Sequence, residues 1–260
     1  MMKRRFTIAA IAASIVSLAM MSSGISAEFA HEGDTEKAGE TVAETEADTA
    51  EFDAVAFLEA IKGTYEPLFP IITDPQYDQL WIDPCVSALG EEAGPEAVEM
   101  LKSACNGTIY GQEAIDAFGD GSEGAQFDCL FINGPSTITF DGKTISGADE
   151  NGDQLFSHEY QYVGNLSLAG MMEGYLYETE DEDAGEFRYF YMMPDTPATT
   201  YHLEFRYGSD ADALAQYNEG PYAYWLAAGF PVDADEEMVT NVITLFCEEN
   251  LAEMQADEAA

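Results

Sequence analysis

Between residues 126 and 207 the chain is punctuated by hairpin signals, and these constrain its fold more than any other feature. Gln126–Ile132 (QFDCLFI) runs into Asn133-Gly134, and Ser136–Phe140 (STITF) runs into Asp141-Gly142. Asn-Gly and Asp-Gly tolerate positive φ at both centre positions of a two-residue hairpin turn, which most residues resist. Further β-prone runs lie at Leu155–Val163, Gly174–Glu178, Glu186–Met193 and Thr200–Tyr207. Apolar and polar residues alternate in FRYFYMM and YHLEFRY, the period of a strand with one buried face. About six strands meandering within roughly 80 residues predict a small antiparallel barrel or sandwich.

Helical patterns bracket this β region. Phe52, Val55, Leu58 and Ile61 recur at helical spacing with Asp53 in the first turn, and Gly63 ends that helix. Tyr65–Asp83 is Pro-rich and aromatic and reads as an ordered loop with short turns. A second helix is predicted over Pro95–Ala104, with Pro95 at the first helical position and Val98, Leu101 and Cys105 along its apolar line. After the strands, Ser209 can cap a short helix over Asp210–Tyr217. Ala234–Glu249 predicts a longer one that buries Met238, Val239, Val242, Ile243 and Phe246. No repeat of solenoid or propeller length is present. Residues 51–251 are thus expected to form one mainly β domain with flanking helices, followed by an acidic tail over 252–260.

The N-terminal segment reads as an export signal. Lys3, Arg4 and Arg5 precede an apolar run from Phe6 to Met21, and small residues from Ser22 to Ala27 suit cleavage. Cleavage is expected after Ala27, with Ser26 and Gly24 as rivals. The run is short of the roughly 20 residues that span a bilayer, and no other segment is apolar enough, so no span is expected once the signal is removed. Residues 28–50, rich in Glu, Asp, Thr and Ala, read as a disordered acidic leader. A periplasmic or secreted location follows.

The chain holds 9 Lys+Arg and 50 Asp+Glu. Three of those bases, and none of the acids, lie in the signal. Such a charge repels nucleic acid and anionic lipid and reads mainly as a solvated surface. Cys85, Cys105, Cys129 and Cys247 are an even set in an exported chain, which predicts two disulfides. Cys85–Cys105, flanking a short helical stretch, is the preferred pair, with Cys129–Cys247 as the other. Nucleophile-elbow, phosphate-loop and H-E-x-x-H patterns are absent, so the chain reads as a binding protein rather than an enzyme.

The most informative residues lie in the last predicted strand. His202 and Glu204 are two apart, so both side chains share one face. Imidazole with carboxylate is a pair Zn²⁺ accepts if a third ligand converges.

The stretch from Phe187 to Gly208 (FRYFYMMPDTPATTYHLEFRYG) resembles the C-terminal signature of the ZinT (YodA) family of exported zinc-binding proteins. Pro197 stands at the loop proline, His202 at the first His of a His-x-His pair, and Gly208 at the closing glycine. Ser209–Tyr217, the aromatic turn Gly220–Trp225 and Asp233–Leu251 follow in the family's order, and Ile61–Leu68 with Asp74-Pro75 is similar to its opening. The resemblance implies a lipocalin-like antiparallel β-barrel of calycin type and a divalent-metal cargo, zinc first. It also implies a role as scavenger or uptake chaperone, with a metal-uptake transporter component as a partner. Glu204 stands where the family has its second His, and Met193 stands at the loop His. A third ligand would then come from His158, Glu159 or Asp195, with His158 the chosen candidate. The alternative is a calycin-type barrel that has lost its metal site and binds a small apolar ligand in its mouth.

Overall fold

The computed structural model describes residues 53–104, 107–119 and 128–259. The expected signal (1–27) and acidic leader (28–50) lie outside the described residues. Residues 53–60 form helix α1, followed by β1 Gly63–Pro67, α2 Leu68–Ile72, α3 Asp78–Ala104 and α4 Gln112–Phe118. Then come β2 Thr137–Asp141, β3 Thr144–Ala148, β4 Gln154–Glu159, β5 Gln161–Leu168, β6 Met172–Glu178, β7 Tyr189–Met192 and β8 Leu203–Gly208. α5 Ala211–Leu214, β9 Ala227–Pro231 and α6 Glu236–Ala259 complete the order.

Among the described residues, nine strands form one sheet in the order β4-β3-β2-β1-β9-β8-β7-β6-β5, and every pairing is antiparallel. Six strand spacings separate β4 from β7 in that order, which a flat sheet would stretch to about 29 Å. Yet the ring of Phe156 on β4 lies 6.2 Å from that of Phe190 on β7. The sheet therefore curls on itself into a lipocalin-like antiparallel barrel. Its two edges, β4 and β5, are consecutive in sequence. Side chains bridge β4 to the turn before β7: Phe156 stacks on Phe187 with centroids 3.9 Å apart, and the Tyr160 hydroxyl donates to the Phe187 carbonyl.

Several expectations about local structure are corrected by tertiary pairing. Of the run 126–132, the described residues 128–132 do not form a hairpin arm. Asp128 N–H donates to the Tyr224 carbonyl, and Leu226 N–H donates to that of Asp128, because β2 is already paired with β1 and β3 on both sides. Asn133 and Gly134 do adopt positive φ, at 62° and 108°. In the next turn Asp141 pairs with Thr144, so the central residues are Gly142-Lys143, and Gly142 carries the positive φ of 60°. Leu155–Val163 is two strands, broken at the buried Tyr160 where the chain passes between edges.

Helix limits shift as well. α1 buries Ala54, Phe57 and Leu58 while Val55 is 38% exposed, so its core face is rotated from the expected one. α3 starts within the expected loop and bends at Gly90 (φ 85°, ψ 169°). Asp210, not Ser209, caps α5 by accepting from Ala213 N–H at 3.0 Å. α6 buries Val239, Val242, Ile243 and Phe246 as expected, and it continues through the expected acidic tail to Ala259.

The expected disulfides are not found among the described residues, where Cys85, Cys129 and Cys247 are buried free thiols. Cys247 faces Cys85 across α6 and α3 rather than Cys129, because α6 packs on α3. Cys105 lies outside the described residues.

Strand β8 divides the core. Leu203, Phe205 and Tyr207 point into the barrel with Phe140, Phe190 and Trp225, so the interior is filled by rings. His202 and Glu204 point to the outer face, where α2 and α6 pack. Arg206 is fully buried. Its guanidinium donates to the carbonyls of Leu214, Gln216 and Tyr222 and lies 5.8 Å from the Trp225 ring centre. Burial lowers its pKa to about 10, which leaves it charged at neutral pH. Arg206→Met should lower unfolding free energy by about 3 kcal/mol or more, since three buried carbonyls lose their donor. Urea denaturation should show a reduced midpoint with unchanged slope; an unchanged midpoint would deny the clamp its role.

Candidate metal centre

The loop before β8 sets the geometry of His202. Thr199 and Thr200 N–H groups both donate to the Thr196 carbonyl, and Tyr201 takes a left-handed φ of 67°. His202 then folds its ring back, with Nδ1 2.8 Å from the Thr200 carbonyl. A carbonyl can only accept, so Nδ1 carries the proton and Nε2 turns away from the backbone. Nε2 lies 3.5 Å from Glu204 Oε1. His202 is 5% exposed and Glu204 8%. The structure thus brings these two sequence candidates together.

Burial pulls the His202 pKa down. Glu204, the Thr200 carbonyl and Asp195 outweigh it, so the net shift is upward. The lone pair that could hold a cation therefore competes well for a proton.

The pair occupies the polar end of a pocket of about 620 Å³, its open mouth included. Phe69, Ile72, Met172, Val242 and Phe246 form much of its apolar wall, and Glu249 from α6 lines it beside His202 and Glu204. Glu249 Oε2 is buried without a hydrogen-bond partner. Burial raises this carboxyl to about 7; Glu204 and Asp195 add to the rise and His202 opposes it. Glu249 carried no sequence signal, being one acid among 50 at the end of a predicted helix. Asp195, 4% exposed, is the other carboxylate whose charge acts on both His202 and Glu249.

His158 is not brought to this site. It sits on β4 with its Nδ1 2.7 Å from Asp181 Oδ2, its ring stacked on Phe156 at 6.1 Å. Phe156, its same-side neighbour on β4, and Tyr160 just after the strand belong to the ring-filled interior. His202 lies on the other face of the sheet, so the wall of the barrel separates the two. Glu159 is exposed, and Met193 is buried in the apolar layer on the outer face. Among the described residues no three His, Cys, Asp or Glu side chains converge closely enough to hold an ion as they stand.

With this geometry in hand, the chain can be set beside known proteins. No protein-family model matches it, and no curated protein matches it by sequence. Among solved structures it is similar to the Zn(II)-bound ZinT-like domain of Streptococcus pneumoniae AdcA, at 16% identity and a TM-score of 0.43 over 75% of this chain and 89% of that domain. Zn(II)-bound AdcA itself is similar at 16% identity and a TM-score of 0.45 over 72% of this chain. This chain spans 35% of the length of AdcA. Neither likeness assigns a role to any residue here.

The raised Glu249 pKa has a definite sign. Its folded value, about 7, lies above the ordinary 4.5, so the folded protein retains a proton that the unfolded chain releases. Stability therefore falls as pH rises from about 4.5 through 7, and the penalty is complete above that range. Glu249→Gln should stabilise the chelator-treated protein near pH 8 by about 1 kcal/mol, after allowing for partial solvation of the side chain. The gain should vanish near pH 4.5. Thermal melts at both pH values test this, and a gain of equal size at both would sink it.

Proposed function

We propose that this chain is an exported binding protein whose cargo is a divalent cation, zinc by donor chemistry, held at His202 and Glu204. One observation carries the reading: Nδ1 of His202 is anchored to a backbone carbonyl, and Nε2 stands 3.5 Å from Glu204 Oε1. Two ligands at roughly 2.0–2.1 Å from a tetrahedral Zn²⁺ stand about 3.3 Å apart. The pair is therefore spaced to share one ion with little movement. Anchoring of Nδ1 fixes the tautomer that presents Nε2. Glu249 is the other carboxylate that lines the pocket, and a cation would relieve its burial. Water completes a shell that the protein leaves open.

A site with two ready ligands and a second carboxylate in the same pocket suits capture and release better than permanent structural binding. The N-terminal signal supports a periplasmic or extracellular setting, where such a protein would scavenge the ion or hand it to a metal-uptake transporter component. The apolar wall of the pocket favours a second reading, a small apolar ligand under α6. Such a ligand would sit outside the barrel, since rings fill the interior.

Calorimetric titration of Zn²⁺ into the mature chain separates these readings. Binding near micromolar or tighter is expected, weakened at least about tenfold, or some 1.4 kcal/mol, in His202→Ala. No binding tighter than about millimolar would end the zinc reading. Unchanged binding in the variant would move the site elsewhere.

A further inference from the structure

We infer that Cys85 and Cys247 form a disulfide that fastens α6 to α3 behind the pocket. Both residues are fully buried free thiols in one core cluster, and each is the leading influence on the other's acidity across the two helices. The neighbouring rings fix the approach independently. Trp81, one turn before Cys85, meets Phe246, the residue before Cys247, with centroids 5.6 Å apart. Cys85 thus lies one turn beyond, and Cys247 one residue beyond, a packed ring pair on two helices that are in contact. Neither sulfur lines the pocket, so the inference does not rest on the metal reading.

The position gives the bond a consequence. Val242, Leu245, Phe246 and Glu249 of α6 wall the pocket over His202 and Glu204, and Cys247 lies between them on the same helix. A bond at Cys247 would fix the rotation of α6 and so the placement of Glu249. It would also close a loop of more than half the chain, which removes freedom from the unfolded state.

The reaction is thiol–disulfide exchange with an external disulfide, oxidised glutathione or an oxidised dithiol carrier. A Cys85 thiolate attacks that disulfide, its S–S bond breaks, and one carrier thiol leaves. The Cys247 thiolate then attacks the mixed disulfide at the Cys85 sulfur and expels the second carrier thiol. Two protons pass from the cysteines to the leaving thiols, and two electrons reduce the carrier. Both sulfurs are closed to solvent once α6 is seated, so exchange takes place before that docking step.

The test uses the full chain, exported or refolded with oxidised and reduced glutathione. It is alkylated under denaturing conditions without reductant, digested, and mapped by mass spectrometry. A linked peptide joining Cys85 to Cys247 is expected, and it should persist in a Cys105→Ser, Cys129→Ser variant. Reduction should lower the melting temperature of the wild type by roughly 5–15 °C. Recovery of both cysteines as alkylated thiols, or of either joined to another cysteine, would overturn the inference. The wild-type peptide map decides the matter even if the double variant fails to fold.

Discussion

Arg206 is the interaction on which the connection from α5 to β9 depends. A guanidinium with no exposed surface and no carboxylate partner is costly to bury, and it is tolerated because three carbonyls accept from it. Those carbonyls belong to Leu214, Gln216 and Tyr222, the connection that carries the chain from α5 to β9. β9 then pairs with both β8 and β1, so one charged side chain fixes the segment that joins the two halves of the sheet. Trp225, at the end of that connection, is covered by the same guanidinium and in turn packs on Tyr207 at 5.0 Å.

The same strand that supplies this clamp supplies the candidate site. Alternation along β8 sends Leu203, Phe205 and Tyr207 into the barrel and leaves Glu204 under α6, beside His202 from the preceding loop. A strand with one face in a ring-filled interior cannot slip by a residue without exchanging those sets. The interior packing therefore holds the ligand pair in place, which is what a site needs from its scaffold. The helical layer then brings Glu249 to the polar end of the pocket, at the cost of holding its carboxyl far above its ordinary range.

The acidity of the chain plays two separate parts. Nearly all of the described carboxylates are solvated, and their repulsion favours solubility and weak cation accumulation. Asp128, Asp195 and Glu204 are buried as whole residues, and Glu249 has a carboxylate oxygen buried in the pocket. Asp128 turns its carboxylate to Leu130 N–H and serves the loop beside β9. Asp195 and Glu204 both act on His202. Burial, which composition cannot report, singles these out from the other acids.

Local chemistry in the sequence determined much of the fold. The alternation of FRYFYMM and YHLEFRY set β7 and β8, the glycine turns set the β2–β3 hairpin, and apolar periodicity set the core face of α6. Period two also predicted that His202 and Glu204 share a face; they do, although His202 lies just before β8 and is set by its loop. What local chemistry could not determine were partners distant in the chain. β1 and β9, GTYEP and AAGFP, have little strand character alone and exist because they pair across more than 160 residues. Tertiary structure alone decided that His158 lies on the opposite side of the barrel wall. It alone set Glu249 beside the ligand pair and Cys247 against Cys85. Each of those outcomes depends on how a helix docks or a sheet curls, and no local spacing encodes that.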